Sequence, residues 1–262
     1  MSSNNERLQA EDLMIGYSSK KGQQTIAKNI SFSLKEQKMV CLLGKNGAGK
    51  STLLRTLSKT QAALSGEINI NGQSLENISN SDLSKVMSLV LTERIPDSQL
   101  TVYELIALGR QPYTNWLGRL SANDENIINA AIETTGVTEL IRKKHYELSD
   151  GQLQKVMIAR SLAQDTPIII LDEPTAHLDL HHKIEVFKLL KNLVQKNKKT
   201  VILSTHEVNL SLNLADELWL LLPNDFMTGS ISEHLEQKNF EKLFSSNEIE
   251  FDTSLKQFKI KH

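Results

Sequence analysis

The stretch at positions 44–52, Gly-Lys-Asn-Gly-Ala-Gly-Lys-Ser-Thr, constrains the fold of this chain more than any other feature. It follows the apolar run 39–43 and precedes residues 53–57, which are predicted to start a helix. Glycine-rich loops between a strand and a helix bind phosphates, because backbone N–H groups and the helix N-terminus converge on the anion. Lys50 is predicted to reach the β- and γ-phosphates, and the Ser51 hydroxyl to bind Mg²⁺. The alternative is a glycine turn with a surface lysine, which the strand-to-helix context disfavours.

The bulk composition excludes several functional classes. The chain has 262 residues with 30 basic and 31 acidic side chains, so no overall positive field indicates a nucleic-acid partner. The single cysteine, Cys41, cannot form an intrachain disulfide, and its apolar surroundings predict a buried core residue in a reducing compartment. Residues 1–12 lack a secretory signal, and no apolar run approaches the ~20 residues of a spanning helix. If the chain acts at a membrane, another protein must span it.

Apolar patterns predict half-buried and fully buried strands. Residues 66–72 alternate polar and apolar side chains, and residues 86–91 form a second apolar strand. The runs 167–171 and 200–204 are continuously apolar, which is typical of parallel strands covered on both faces. Residues 258–260 are a candidate terminal strand in the moderately polar C-terminal tail.

The region between the two groups of strands is predicted to be helical. Thr101 opens a helix through a capping box with the glutamate three residues later. Ser121 similarly caps a helix that ends at Gly136, a suitable residue for the C′ position. Residues 94–158 are therefore predicted to be a helical insertion between α/β halves, and residues 182–196 a further amphipathic helix.

Two acidic residues and a histidine follow the ends of the buried strands. Asp172 and Glu173 end the run 168–171, where an aspartate beside a phosphate loop can hold Mg²⁺ directly or through water. Glu173 is then placed to orient or deprotonate a water that attacks the γ-phosphate. His206 follows residues 200–204 and is placed to contact the same phosphate. The alternatives are a capping acidic pair and a structural histidine.

Two other features have a functional and a structural interpretation. The histidines His177, His181 and His182 suggest a metal site, but no acidic or cysteine partner lies at ligand spacing. We therefore predict solvated loop and helix-start positions for them. Residues 148–152 open another helix with Ser149 as its N-cap, and this helix start is either a second anion site or simply a capped helix.

Over nearly its whole length the chain resembles the ATP-binding subunits of ABC transporters. The matching segments are 44–52 for Walker A, 168–173 for Walker B, 148–152 for the LSGGQ signature, 176–179 for the D-loop, His206 for the switch histidine, and Tyr17, ahead of the first strands, for the aromatic residue that stacks on adenine.

The resemblance implies a site that binds ATP and Mg²⁺. Its implied catalytic residues are Lys50, Glu173 and His206, and its implied metal ligands are Ser51, Asp172 and Thr92. Its implied nucleotide-binding residues are Tyr17, Gly44, Asn46, Gly47, Ala48, Gly49, Lys50, Ser51, Thr52, Ser149, Gly151 and Gln152. The resemblance also implies a head-to-tail dimer of two copies. Each ATP would lie between Walker A of one copy and the signature of the other, so Ser149 and Gly151 would act in trans.

The chain departs from the family pattern at two positions. Asp150 stands where the signature has glycine, which brings a negative charge near a polyphosphate. Thr92, followed by Glu93, stands where the family usually has the Q-loop glutamine that touches Mg²⁺ and relays nucleotide state to the membrane subunit. Because adjacent side chains of an extended chain point opposite ways, we predict that Thr92 faces the metal and that Glu93 serves the loop or the permease interface. The other catalytic positions match, so we predict an active ATPase with adjusted coupling.

The helical region indicates a branch of the family. Residues 100–113 and 116–121 resemble the helical subdomain of importers for iron–siderophores, haem and cobalamin. Tyr113, Trp116 and Leu117 are then predicted to contribute to a docking surface for a permease helix. The alternative is an aromatic loop that packs locally.

The predicted fold is α/β, a P-loop NTPase core of the ABC ATPase type with an antiparallel β subdomain and an inserted helical subdomain. Residues 7–93 and 159–224 are predicted to form the nucleotide-binding core, residues 94–158 the helical signature subdomain, and residues 225–262 a C-terminal extension.

The predicted function is ATP hydrolysis that powers uptake of an iron chelate (siderophore or haem) or cobalamin. The implied partners are a second copy of the chain, a polytopic membrane permease and, indirectly, a substrate-binding protein, with no nucleic acid. The subunit is then expected in the cytoplasm, peripheral on the inner face of the cell membrane. One alternative is a soluble non-transport ABC ATPase that acts as an assembly factor. Another is a catalytically weak interaction module, which only Asp150 and Thr92 suggest.

Overall fold

The computed structural model describes residues 6–20, 22–91, 99–223, 225–243, 249–252 and 257–260. Its strands are β1 (Glu6–Ser19), β2 (Gly22–Lys35), β3 (Met39–Leu43), β4 (Ser65–Ile70), β5 (Gln73–Ser74), β6 (Met87–Val90), β7 (Ile168–Leu171), β8 (Thr200–Ser204), β9 (Glu217–Leu222), β10 (Asp225–Gly229), β11 (Ile249–Asp252) and β12 (Gln257–Ile260). Its α-helices are α1 (Lys50–Leu57), α2 (Asn80–Val86), α3 (Val102–Ala107), α4 (Ala122–Thr135), α5 (Asp150–Ala163), α6 (Leu180–Gln195), α7 (Val208–Leu214), α8 (Ile231–Glu236) and α9 (Asn239–Leu243).

The central sheet contains the buried strands that the continuous apolar runs predict. Among the described residues its order is β10-β9-β3-β8-β7-β6, with β10 antiparallel and the others parallel. Every residue of β3, β7 and β8 is buried, because successive side chains enter opposite cores. Val40 and Leu42 contact one core, and Cys41 and Leu43 the other. The carboxyl ends of the parallel strands therefore meet beside the loop 44–49.

An antiparallel sheet of order β2-β1-β4-β5 covers one face of the central sheet. The Phe32 and Trp219 rings join the two sheets, with centroids 4.1 Å apart. The predicted antiparallel portion is therefore present, but the expectation that Tyr17 precedes the first strands is wrong. Tyr17 lies within β1 opposite Gln24 of β2. Register shifts along β1, including one between Ala10 and Leu13, interrupt the alternation by which such strands are identified.

The helical region is built on the predicted caps. Capping boxes open α3 at Thr101 and α4 at Ser121, and Gly136 ends α4 with φ of 69°. A buried ion pair holds the first part of this region, because Arg110 Nε donates to Asp124 Oδ1 at 2.8 Å. Hydrogen bonds from the Ser121 hydroxyl and N–H, followed by that from Arg110, lower the pKa of Asp124 to about 2.

Several boundaries differ from the predicted ones. The helix after the phosphate loop begins at Lys50 rather than at residue 53, because Gly49 is its N-cap. The strand predicted at 86–91 begins one residue later, because Val86 is the last residue of α2. The helix predicted to begin at residue 182 begins at Leu180, as α6. The strands β1, β2 and β9 were not predicted, whereas β12 confirms the terminal strand. The domain boundaries stay predictions.

The C-terminal segment packs against the edge of the central sheet. Phe251 stacks on Phe240 of α9, with ring centroids 4.6 Å apart. His234 Nε2 lies 3.0 Å from the Leu218 carbonyl oxygen of β9. Throughout the described ranges, every helix is too short or too polar to span a bilayer.

Candidate active site

A cavity of about 230 Å³ opens above the carboxyl end of β3. Its lining residues are Tyr17, Ile26, Asn46, Gly47, Gly49, Lys50, Ser51, Thr52 and Glu173. All of these except Ile26 were predicted as site residues. Ile26 lies on β2. In the sequence it is distinguished only as an apolar residue after the polar run Gln23–Thr25, and this pattern does not indicate a binding site. The antiparallel sheet, which the sequence pattern obscured, brings it to the cavity.

The glycine-rich loop is shaped by two close approaches. Gly49 has φ of 105°, and a Cβ built on it would lie 2.5 Å from Ile26 Cγ2. A Cβ on Gly44 would lie 2.7 Å from the Leu221 carbonyl oxygen. The Ala48 N–H donates to the Lys45 carbonyl at 3.1 Å, which closes the turn ahead of α1. A side chain at either position would therefore clash with the neighbouring strands, so the loop needs glycine to follow this path.

The Lys50 ammonium is buried at the centre of the site. It donates to the Gly44 carbonyl at 3.1 Å and lies 3.6 Å from Glu173 Oε1. Burial lowers the pKa of Lys50, and the negative charge of Glu173 opposes that shift. A buried cation held mainly by carbonyl dipoles suits an anionic ligand.

Asp172 meets the phosphate loop through one carboxylate oxygen. The Ser51 hydroxyl donates to Asp172 Oδ1 at 3.0 Å, and the Ser204 hydroxyl donates to the same oxygen at 2.7 Å. Asp172 is only 2% exposed. Hydroxyl and carboxylate oxygens are the ligands that Mg²⁺ prefers, so the chemistry of Ser51 and Asp172 fits that ion.

Glu173, His206 and Lys50 form a compact triangle. His206 Nε2 lies 3.0 Å from Glu173 Oε1 and 3.1 Å from Lys50 Nζ. Nε2 must carry a proton to donate to the carboxylate, and must lack it to accept from the ammonium. The two hydrogen bonds are therefore alternatives, and the tautomer of the His206 ring decides which one forms. Glu173 has φ of 46°, a left-handed conformation that is uncommon outside glycine.

Tyr17 lies at the mouth of the cavity. Its hydroxyl is 3.2 Å from the Thr52 hydroxyl, and the residue is 47% exposed. The ring is thus accessible beside the end of the phosphate loop, as a residue that stacks on a base must be.

The signature-like segment does not line this cavity. Ser149 caps α5 as predicted, and Gln152 completes a capping box with it. A Cβ on Gly151 would lie 2.7 Å from His182 Cδ2, so this glycine allows α5 to pack against the start of α6. Asp150 is exposed in the first turn of α5.

The histidines near the D-loop-like segment have acidic neighbours, contrary to the prediction. His181 Nδ1 lies 3.7 Å from Glu185 Oε1, and His182 Nδ1 lies 2.9 Å from Asp179 Oδ1. One ligand atom each of His181, His182 and Glu185 falls within 4.8 Å of the others. Helical spacing produces this group, because Glu185 is one turn after both histidines. Glu185 Oε2 already pairs with Lys155 at 2.7 Å. His177 is exposed, as predicted.

The predicted docking residues are at the surface. Trp116 is 92% exposed and Leu117 is 52% exposed. Asn115 Oδ1 accepts from the Leu117 N–H at 3.1 Å and from the Arg119 N–H at 3.2 Å, which holds the turn in one conformation. The Arg110 guanidinium lies 3.9 Å from the centroid of the Tyr113 ring. Thr92 and Glu93 lie outside the described residues.

Comparisons with known proteins agree with this geometry. The family model described as "ABC transporter" matches residues 27–176. The achromobactin transport ATP-binding protein CbrD of Dickeya dadantii is 39% identical, over 80% of this chain and 76% of that protein. The iron(3+)-hydroxamate import ATP-binding protein FhuC of Bacillus subtilis is 38% identical, over 77% of this chain and 74% of that protein. The solved structure of CbiO1 from Clostridium perfringens, part of the ABC transporter complex CbiONQ, is 26% identical, with a TM-score of 0.77 over 90% of this chain and 93% of that one.

Proposed function

The chain belongs to the ABC transporter family as an ATP-hydrolysing, ATP-binding protein, and on that premise we propose that it powers import of an iron chelate or cobalamin through a separate membrane permease. The observation that carries the proposal is the exposed aromatic turn at Trp116 on the helical region of a cassette whose relatives are named for siderophore-type transport. On this reading the subunit is peripheral on the cytoplasmic face of the membrane, and a substrate-binding protein delivers the chelate to the permease.

The described residues fit ATP with Mg²⁺. The N–H groups of the loop 44–49 and the N-terminus of α1 suit the phosphate chain, and Lys50 suits its β- and γ-phosphates. Tyr17 suits the adenine ring. Ser51 and Asp172 would hold Mg²⁺, which would supply positive charge to the phosphate groups when bound.

Three side chains perform the hydrolysis in this proposal. Glu173 accepts a proton from the attacking water as the water oxygen bonds to the γ-phosphorus. The bond from that phosphorus to the β,γ-bridging oxygen breaks, and Lys50 stabilises the negative charge that accumulates. His206 orients the water and the phosphate. When its Nε2 carries a proton, it can donate to Glu173 Oε1, which lies 3.0 Å away, or to a phosphate oxygen.

A second copy of the chain completes the site. Ser149, Gly151 and Gln152 do not line the cavity, so we propose that they contact the γ-phosphate of ATP bound to the partner copy. Their position at the capped start of α5 supports this role, because a helix N-terminus favours an anion. Asp150 is exposed in the same turn, and we expect its carboxylate to point away from that phosphate.

The experiment that tests the proposal separates hydrolysis from transport. In cells that lack this chain, the wild-type gene should restore uptake of radioiron-labelled siderophore, and Lys50→Ala should not. Trp116→Ala should keep ATP hydrolysis by the isolated chain and lower uptake, because it removes an exposed anchor for a permease helix. Copurification with a polytopic membrane protein should accompany uptake. Full ATPase activity without a permease partner or uptake would instead favour the soluble assembly factor.

A further inference from the structure

A buried serine that the sequence motifs do not identify bonds both acidic residues of the site. Ser204 is the last residue of β8, beside β7, and Leu203 is opposite Leu171 in the parallel ladder. This register places Ser204 next to the residues that follow β7. Its exposure is 0%, so its hydroxyl must find its partners within the protein.

Chemistry fixes the direction of both hydrogen bonds of Ser204. Its hydroxyl donates to Asp172 Oδ1 at 2.7 Å and accepts from the Glu173 N–H at 2.8 Å. An ionised carboxylate has no proton to donate, and a backbone N–H has no lone pair. The single proton and one lone pair of the hydroxyl are therefore both used, each on a residue of the acidic pair.

The bond to Asp172 determines which carboxylate oxygen is offered to a metal ion. Ser51 and Ser204 both donate to Oδ1, so among the described residues Oδ2 is the oxygen left for a cation or its bound water. Ser51 lines the cavity and belongs to the proposed metal site, whereas Ser204 is fully buried and is not among the residues that line the cavity. Ser204 therefore keeps the carboxylate oriented while Ser51 directs a lone pair to the ion.

The bond to Glu173 supports an uncommon backbone conformation. Glu173 has φ of 46°, which costs free energy for a residue with a Cβ. The Ser204 hydroxyl satisfies the N–H of that residue, and the same backbone places Glu173 Oε1 3.0 Å from His206 Nε2. Loss of the hydroxyl would leave a donor unsatisfied at the point where the backbone is strained.

We propose that Ser204 is a positioning residue for ATP hydrolysis, which orients the metal-binding carboxylate of Asp172 and the backbone of Glu173 through one hydroxyl. The inference rests on the functions proposed above for Asp172 and Glu173. It assigns to Ser204 no contact with ATP, Mg²⁺ or the attacking water.

The test measures metal binding directly, with Mn²⁺ as an EPR-visible probe and a non-hydrolysable ATP analogue on the full chain. Ser204→Ala should weaken Mn²⁺ binding to the analogue complex about tenfold, the effect of losing one hydrogen bond to a charged group. Binding of the analogue in EDTA should be unchanged, because the phosphate loop is intact. The kcat of hydrolysis should fall by about the same factor, with little change in KM.

Two matched comparisons separate positioning from stability. Ser204→Thr and Ser204→Val share the same added bulk but differ in the hydroxyl, so the threonine variant should bind Mn²⁺ about tenfold more tightly than the valine variant. Ser211→Ala removes another serine of 0% exposure, on α7, and should leave Mn²⁺ binding unchanged. The threonine and valine pair decides the question even if Ser204→Ala folds poorly.

Two outcomes would overturn the proposal in distinguishable ways. If Asp172→Asn weakens Mn²⁺ binding while the Ser204 alanine and valine variants bind like wild type, Ser204 is only a structural residue. If Asp172→Asn also binds Mn²⁺ like wild type, the metal site proposed for Ser51 and Asp172 is itself wrong.

Discussion

Replacing Glu173 by glutamine tests the chemistry of the site most directly. The substitution keeps the length of the side chain but removes the carboxylate that we propose accepts the proton of the attacking water. Glu173 Oε1 lies 3.0 Å from His206 Nε2 and 3.6 Å from Lys50 Nζ, and the backbone of residue 173 is held by Ser204. A glutamine oxygen can keep the acceptor position, so the cavity should retain its shape.

The expected loss of activity is large and the expected loss of stability is small. Removal of a general base lowers turnover by roughly 10²–10⁴-fold, or about 2.7–5.4 kcal/mol of transition-state stabilisation. The glutamine oxygen can still accept a hydrogen bond from the buried Lys50 ammonium, so the free energy of unfolding should fall by less than about 3 kcal/mol, the loss expected when a buried charge loses its partner altogether. The pKa of Lys50, which burial lowers, should fall further without the neighbouring charge.

The assays are phosphate release and sizing with ATP and Mg²⁺. Glu173→Gln should bind ATP, release phosphate very slowly and persist as the proposed ATP-bound dimer, whereas the wild-type dimer should be transient. Glu36→Gln is the matched control, because the Glu36 side chain is 35% exposed and pairs with Arg7 at 2.7 Å, and neither residue lines the cavity. Turnover of Glu173→Gln within a few-fold of wild type would refute the assignment of the general base.

Lys50→Ala should abolish ATP hydrolysis and weaken nucleotide binding, because it removes the cation buried beside the loop. Phosphate release measures the hydrolysis, and a titration with fluorescent ATP measures the binding. Asp150→Gly should change the ATPase rate only a few-fold because the carboxylate is exposed, and a large gain would show that its charge restrains turnover. Asp124→Asn should lower the free energy of unfolding by about 3 kcal/mol at pH 7, because it leaves a buried guanidinium unpaired. The pKa of Asp124 is about 2 in the folded protein, below its ordinary value of 3.8. The ionised carboxylate therefore stabilises the fold fully above about pH 5, and this contribution is lost as the pH falls toward 2. Denaturant titrations of the wild type and of Asp124→Asn should therefore give converging free energies of unfolding near pH 2. Thr92→Ala should alter the Mg²⁺ dependence of phosphate release, whereas Glu93→Ala should impair only transport-coupled activity, and the opposite result would exchange their roles.

Interactions between residues close in the chain made much of this fold predictable. The capping boxes at Thr101 and Ser121 each join residues three positions apart, so the sequence displays both partners. Continuous apolar runs predicted β3, β7 and β8. Burial on both faces of a strand favours apolar side chains at consecutive positions, so this signal is also local in the sequence. The glycine-rich loop was likewise predictable, because the residues that form it are consecutive in the sequence.

Contacts between distant segments could not be read in this way. Ile26 reaches the cavity only because β2 pairs with β1, and Ser204 reaches Asp172 only because β8 pairs with β7. Glu185 was not predicted as an acidic neighbour of the histidines, although it lies one helical turn after His181 and this spacing is visible in the sequence.

The sequence by itself therefore determined the phosphate loop, the buried strands β3, β7 and β8, the helix caps and the residue types that match those of an ATP-hydrolysing site. Only the tertiary structure decided which atoms meet, such as His206 Nε2 between Glu173 and Lys50, and the Ser204 hydroxyl between two acidic residues. The physical reason is that a pattern of neighbouring residues in the sequence reflects only their backbone preference and their burial. The direction and partner of a buried hydrogen bond depend on strand order and register, which the whole chain sets together.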